Sequence, residues 1–148
     1  MSDHDDIAGL VEVFFAAFTS GPDLAQRMDA LRAAMLPSAV VVRTCGQTPA
    51  VYDVEGFLAP RYALLSGGSL TDFREWPTSG RTEVAGDVAH HWCTYAKQWW
   101  QDGEQNTGRG VKSVQCVRTD DGWRISAAAW DDERDGLPMS DTVETVLR

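Results

Sequence analysis

Apolar positions near the start of the chain recur on one face of a helix. Ile7, Leu10, Val11, Phe14, Phe15 and Phe18 follow the spacing i, i+3, i+4, i+7, i+8, i+11. Asp5 or Asp6 is placed to cap this helix, and Ser20-Gly21-Pro22 ends it. A second stripe, Leu24, Met28, Leu31 and Met35, predicts a helix from about Pro22 to Met35, stopped by Pro37. The pattern then turns β-branched. Val40-Val41-Val42 opens a strand that runs to Cys45, with a short return at Ala50-Val51-Tyr52. Asp53 caps a third helix over Val54 to Ser66, which Pro60 should bend or split.

From Leu70 onward the chain reads as strand. The predicted segments are Leu70–Trp76, Arg81–Ala85, Val88–Trp100, Arg109–Thr119 and Trp123–Trp130, with Pro77 marking an edge or bulge. Five of the six tryptophans fall in the last three of these. Helices first and an aromatic meander last define an α+β chain with one sheet face to be covered by helices. At 148 residues it is one domain, with a core over about 7–132 and a tail, 133–148, in which Val143, Val146 and Leu147 suit a weak terminal helix.

Strand parity sorts the side chains. A two-residue turn at Asp121-Gly122 pairs Arg118 with Ile125, Cys116 with Ala127 and Val114 with Ala129. One face then carries Ala89, His91, Cys93, Tyr95, Trp99, Lys112, Val114, Cys116, Trp123, Ile125, Ala127, Ala129 and Asp131. It is the more apolar face, with small residues at its centre, and is expected under the helices with room for a ligand. The other face carries His90, Trp92, Arg109, Gln115, Arg124 and Trp130, a mixture that suits contact with a second subunit. A bulge between Gln101 and Gly108 would turn His90 inward in place of His91.

Composition narrows the function. The net charge is −9, which repels phosphate backbones and anionic lipid and so argues against nucleic-acid and membrane partners. No apolar run has the roughly 20 residues of a membrane span, and the acidic opening Ser2-Asp3-His4-Asp5-Asp6 is unlike a secretory leader; a cytoplasmic protein is expected. The three cysteines lack the spacing of a zinc or redox pair, and adjacent His90 and His91 point to opposite faces. Neither a metal nor another cofactor is expected.

The stretches Gly56-Phe57-Leu58-Ala59-Pro60-Arg61, Gly86-Asp87-Val88-Ala89-His90, Gly110-Val111-Lys112-Ser113-Val114-Gln115 and Gly122 to Asp132 resemble the nuclear transport factor 2-like (NTF2-like) superfamily, most of all its bacterial SnoaL-like branch, over roughly Ile7 to Asp132. The resemblance implies a cone-shaped α+β barrel of N-terminal helices packed on a curved antiparallel sheet, a deep pocket closed by helices, and homodimers through the outer sheet face. Its members include ketosteroid isomerases, dehydratases, polyketide cyclases and non-catalytic association domains, so the fold leaves function open. The first-strand aspartate that serves ketosteroid isomerases as base has no counterpart in Val40 to Cys45. Asp131 is the nearest match to the last-strand aspartate of the polyketide cyclases.

Two functions follow as expectations. The first is cofactor-free acid–base chemistry (isomerisation, dehydration or cyclisation) on a small apolar carbonyl compound. His91 would move the proton, Tyr95 would stabilise an oxyanion, and Asp131 would act as base or orient His91. Arg43, Tyr52, Trp99 and Lys112 would line the binding site. The second is a binding or dimerisation module with the same pocket and no reaction.

Overall fold

In a computed structural model, residues 2–143 are described. Helix α1 spans Asp3–Ala16, and its cap is Ser2 rather than Asp5 or Asp6. The Ser2 hydroxyl accepts from the Asp5 N–H at 3.1 Å while the Asp5 carboxylate takes the Ser2 N–H, a reciprocal box that satisfies two otherwise unpaired donors. The predicted stripe is the buried one: Ile7, Val11, Phe14 and Phe15. Helix α2 spans Leu24–Ala34. Strand β1, Met35–Arg43, begins at once, so Pro37 lies within a strand rather than just beyond a helix; it is exposed, in a stretch where the pairing register shifts between Met35 and Val40. Strand β2 is Ala50–Tyr52. Helix α3, Val54–Ser66, runs unbroken through Pro60, with the Asp53 carboxylate accepting from the Gly56 N–H at 2.7 Å.

The remaining strands are β3 (Thr71–Ala85), β4 (Val88–Gln101), β5 (Glu104–Thr119) and β6 (Gly122–Asp132). The two segments predicted around Pro77 are one edge strand with a register shift between Pro77 and Ser79. The sheet order is β2-β1-β6-β5-β4-β3. β1 runs parallel to β6 and every other pair is antiparallel, so the sheet is mixed and open rather than wholly antiparallel. The helices cover its concave face and make a cone-shaped α+β fold whose core joins Phe14, Phe57, Leu58, Val41, Val114 and Ile125.

Two hairpins decide which side chains enter the cone. Between β4 and β5 the turn is Asp102-Gly103, both at positive φ, and the ladder continues without interruption from Gln101↔Glu104 to Val88↔Val117. With no bulge there, His91 keeps the inner face and His90 the outer. Between β5 and β6 the turn is Asp120-Asp121, one residue earlier than predicted, and Thr119 pairs with Gly122. A bulge follows: Cys116 faces Ile125, but Gln115 faces Ala127, leaving Ser126 as the extra residue. Parity beyond it is reversed. Ala128, Trp130 and Asp132 turn inward, and Ala127, Ala129 and Asp131 turn outward, which corrects the sequence-based placement of Asp131 and Trp130.

The tail returns over the outer face. Asp141 pairs with Arg109 at 3.4 Å, and Val143 is fully buried with its N–H on the Ser79 hydroxyl at 3.2 Å. Beneath this side of the sheet Thr94 is fully buried, its hydroxyl 2.8 Å from that of Thr78. The predicted terminal helix positions Val146 and Leu147 lie outside the described residues. No helix among the described residues is long and apolar enough to cross a membrane.

Candidate functional site

Two cavities flank Glu75, which lines both. The first is a groove of about 630 Å³ between α1 and β3, walled by Ala8, Val11, Phe15, Ala16 and Pro77, with Glu12, Glu75 and His91 as its ionisable members. The second is a chamber of about 100 Å³ inside the cone, lined by Phe18, Phe57, Glu75, Tyr95, Lys97, Lys112 and Trp130.

His91 belongs to the groove. Its Nδ1 is 2.7 Å from the Thr82 hydroxyl on the neighbouring strand, and Nε2 has no partner among the described residues. Gly80 makes this position available: a methyl group there would come within 2.7 Å of Cε1 and Nε2. Burial pulls the imidazole pKa below its ordinary value, so the ring is neutral at pH 7 with Nε2 at the groove.

The chamber holds two linked polar systems. The Lys112 ammonium, 4% exposed, meets the Glu75 carboxylate at 2.8 Å. It also lies 4.4 Å from the ring centre of Phe15, 4.5 Å from Phe14 and 4.9 Å from Tyr95, an aromatic cage filled by the protein's own cation. The Tyr95 hydroxyl donates to Asp132 Oδ1, whose second oxygen takes Lys97 at 3.0 Å. Burial, aided by Glu75 and Asp132, pushes the Tyr95 phenol far up, so it remains a donor. Gly110, paired with Tyr95, gives the phenol its place: a methyl there would sit 2.5 Å from the hydroxyl.

The predicted catalytic trio is not brought together. His91 and Tyr95 share the inner face of β4, but four residues of strand separate them by about 13 Å. Asp131 points away from both; its Oδ1 is taken by Arg134 and by the Asp132 N–H. Burial raises its pKa, but Arg134, the Thr44 hydroxyl and the Asp132 N–H together outweigh that and the net shift is downward. Among the predicted binding residues, Lys112 is in the chamber wall. Tyr52 packs at a tilt against Phe57 and, with it, carries the Arg61 guanidinium. Arg43 is half-buried beside Trp130, whereas Trp99 packs on Phe73 away from the chamber lining.

Sequence reasoning missed Asp132, Glu75, Lys97 and Arg61. Lys97 shares the parity of Tyr95 and was within reach. Asp132 was hidden by the bulge at Ser126, and Glu75 by the irregular strand around Pro77. Cys93 and Cys116 are buried with thiols raised to about 11, inert packing rather than nucleophiles. Among the described residues no group of three or more His, Cys, Asp or Glu is arranged to hold a metal ion.

No protein-family model and no curated protein matches the sequence. Solved structures match the fold. A protein from Kribbella flavida gives a TM-score of 0.72 at 18% identity, over 91% of this chain and 95% of its own. An NTF2-like protein with a cystatin-like fold from Novosphingobium aromaticivorans gives 0.69 at 16% identity, over 99% and 89%. A protein from Streptomyces avermitilis, provisionally called a dehydratase of the NTF2-like family, gives 0.67 at 15% identity, over 88% and 96%. The chain therefore has the NTF2-like, cystatin-like fold that its meander and third helix resembled.

Proposed function

We propose that the protein binds a small, largely apolar carbonyl or hydroxyl compound in the groove between α1 and β3, with His91 as the group that moves a proton. One observation carries this reading. A neutral imidazole, oriented by Thr82 at 2.7 Å, lines an apolar groove of ligand size with its second nitrogen unpartnered. Glu75 in the same lining is a second polar contact for the ligand. No cofactor enters the scheme. Asp131 is left out of it, and Tyr95 serves the chamber rather than the reacting atoms.

A screen of cyclic ketones and enones against the full chain, read on the His91 ring resonances, tests the reading. Binders should shift the His91 signals, and any compound turned over should lose at least about a hundredfold in rate with His91→Gln. Binders that leave His91 unmoved, or turnover at the normal rate by His91→Gln, would remove it from the role.

A second reading, binding without chemistry, is favoured by the chamber. Lys112, Glu75, Tyr95, Asp132 and Lys97 all satisfy one another, which leaves none of them free for a substrate proton. Under this reading ligands stabilise the fold and none is converted. Either reading accommodates a homodimer through the part of the outer sheet face left open by the tail, where Val40, Val42, Ala127 and Ala129 line a shallow hollow. Sedimentation at micromolar concentration tests it: a strictly monomeric mass would count against the dimer, and Val40→Asp should dissociate one.

A further inference from the structure

We propose that Arg43 and Arg61 bind the carboxylate of a small organic acid whose apolar body lies against Trp130 at the mouth of the inner chamber. This goes beyond the groove around His91 and does not rest on it.

The argument begins with pairing. Among the cations withdrawn from the surface, Arg27 has Asp23, Lys97 has Asp132 and Lys112 has Glu75, while Arg124 lies against its own strand's backbone at the Trp123 carbonyl. Arg43 and Arg61 are both half-buried and, among the described residues, neither reaches a carboxylate. Arg61 lies 4.2 Å from the ring centre of Phe57, 5.2 Å from Tyr52 and 5.3 Å from Trp130, and spends one N–H on the Phe57 carbonyl at 2.9 Å. Burial disfavours its charge enough to lower its pKa. Arg43 stands on β1 opposite Trp130 of β6, the residue whose indole lies under Arg61, and it is close enough to Arg61 for the two charges to oppose each other. Among the described residues the Arg43 Nε is buried with no partner, and the one side-chain acceptor for its fork is Gln47, at a long 3.4 Å.

A buried guanidinium donor without an acceptor is costly, and a carboxylate is the acceptor that fits its planar fork. The local charge agrees. In the chamber lining Lys97 and Lys112 are balanced by Asp132 and Glu75, and Arg61, on the lining rings Phe57 and Trp130, together with nearby Arg43 adds positive charge beside it in a chain whose net charge is −9. A positive pocket on an otherwise acidic protein selects a single small anion and rejects polyanions. Trp130 and Phe57 line the chamber and also carry Arg61, so a carboxylate held by the arginines leaves its hydrocarbon part on those rings. The chamber volume of about 100 Å³ limits that part to a short chain or one ring.

The test is a titration of the full chain with sodium benzoate, followed on the arginine Nε–H resonances and on the thermal midpoint. Benzamide, its uncharged counterpart, and inorganic phosphate are run in parallel. Benzoate should shift the Arg43 and Arg61 signals and raise the midpoint; benzamide should leave those two signals in place, and phosphate should bind at least about tenfold more weakly. Arg43→Gln and Arg61→Gln should each weaken benzoate about tenfold or more, and Arg61→Lys, which keeps charge but not the fork, should also weaken it. His91→Gln should leave benzoate binding unchanged, which separates this site from the groove. Unmoved Arg43 and Arg61 signals at about 10 mM benzoate, an equal response to benzamide, or tighter binding of phosphate would each overturn the proposal. Should a glutamine variant fail to fold, the wild-type resonances decide the outcome by themselves.

Discussion

Replacing Lys112 by methionine isolates the energetics of the chamber. Methionine keeps most of the length and volume and removes the ammonium. In the native protein that ammonium is 4% exposed and meets Glu75, itself 11% exposed, at 2.8 Å; three aromatic rings lie within 5 Å of it. Lys112→Met therefore leaves a carboxylate in an apolar shell with no counter-ion, the situation that costs about 3–5 kcal/mol in buried pairs. Glu75→Met strands the opposite charge, but the rings of Phe14, Phe15 and Tyr95 still face the ammonium, each interaction contributing about 0.5–2 kcal/mol. The glutamate variant should accordingly be the less damaged of the two. The double variant strands nothing and should lie within about 2 kcal/mol of the wild type, far from the sum of the singles. Urea unfolding with matched m-values gives the three differences. A loss below about 1 kcal/mol for Lys112→Met, or a double variant as unstable as the sum, would show that water reaching Glu75 from the groove takes the place of the lost ammonium and refute the reasoning.

Four further outcomes follow from the same geometry. Burial lowers the His91 pKa, so between the ordinary value near 6.5 and the folded value the unfolded chain binds more protons; stability should fall as pH drops through that window, and His91→Gln should remove that part of the slope in urea titrations at pH 5–7. Asp132→Asn should cost about 1–3 kcal/mol by disturbing Tyr95 and Lys97, whereas Asp131→Asn should cost under about 1 kcal/mol; the reverse order in thermal or urea unfolding would contradict the bulge at Ser126. Gly110→Ala places a methyl 2.5 Å from the Tyr95 hydroxyl and should destabilise by about 1–3 kcal/mol, relieved in part by Tyr95→Leu. Cys93 and Cys116, buried with thiols near 11, should resist a thiol reagent at pH 8 until the protein unfolds, as followed by absorbance.

The fold was largely legible because its signals are local and periodic. The helical stripe of Ile7 to Phe18 and the Asp53 cap each specify an element within a few residues. What escaped the sequence was set by long-range pairing. Pro37 reads as a stop for a helix, yet β1 accepts it because it falls, exposed, where the pairing with β6 is interrupted. Residues around Pro77 read as two strands, yet a long edge strand accommodates a register shift at that point. The parallel pairing of β1 with β6 joins segments more than eighty residues apart and has no local signature.

The site was legible only as far as the register was. Parity put His91, Tyr95 and Lys112 on the inner face, and it held through β4 and β5 because that hairpin is regular. One extra residue at Ser126 then exchanged Asp131 for Asp132 and drew Trp130 from the outer face into the cone. The run Ser126-Ala127-Ala128-Ala129 explains why the sequence gives no warning: small side chains fit either face, so hydrophobic alternation carries no register information where the slip occurs. The same exchange supplies what makes the mouth of the chamber chemically distinctive. Asp132 is the residue that engages Tyr95 and Lys97, and Trp130 is the ring beside which Arg43 and Arg61 are left without an acid. Deleting Ser126 would straighten the ladder and reverse both placements. The shortened chain should then either lose cooperative unfolding or fold with Asp131 against Tyr95, and a Tyr95 ring environment identical to the wild type would refute the role given to the bulge.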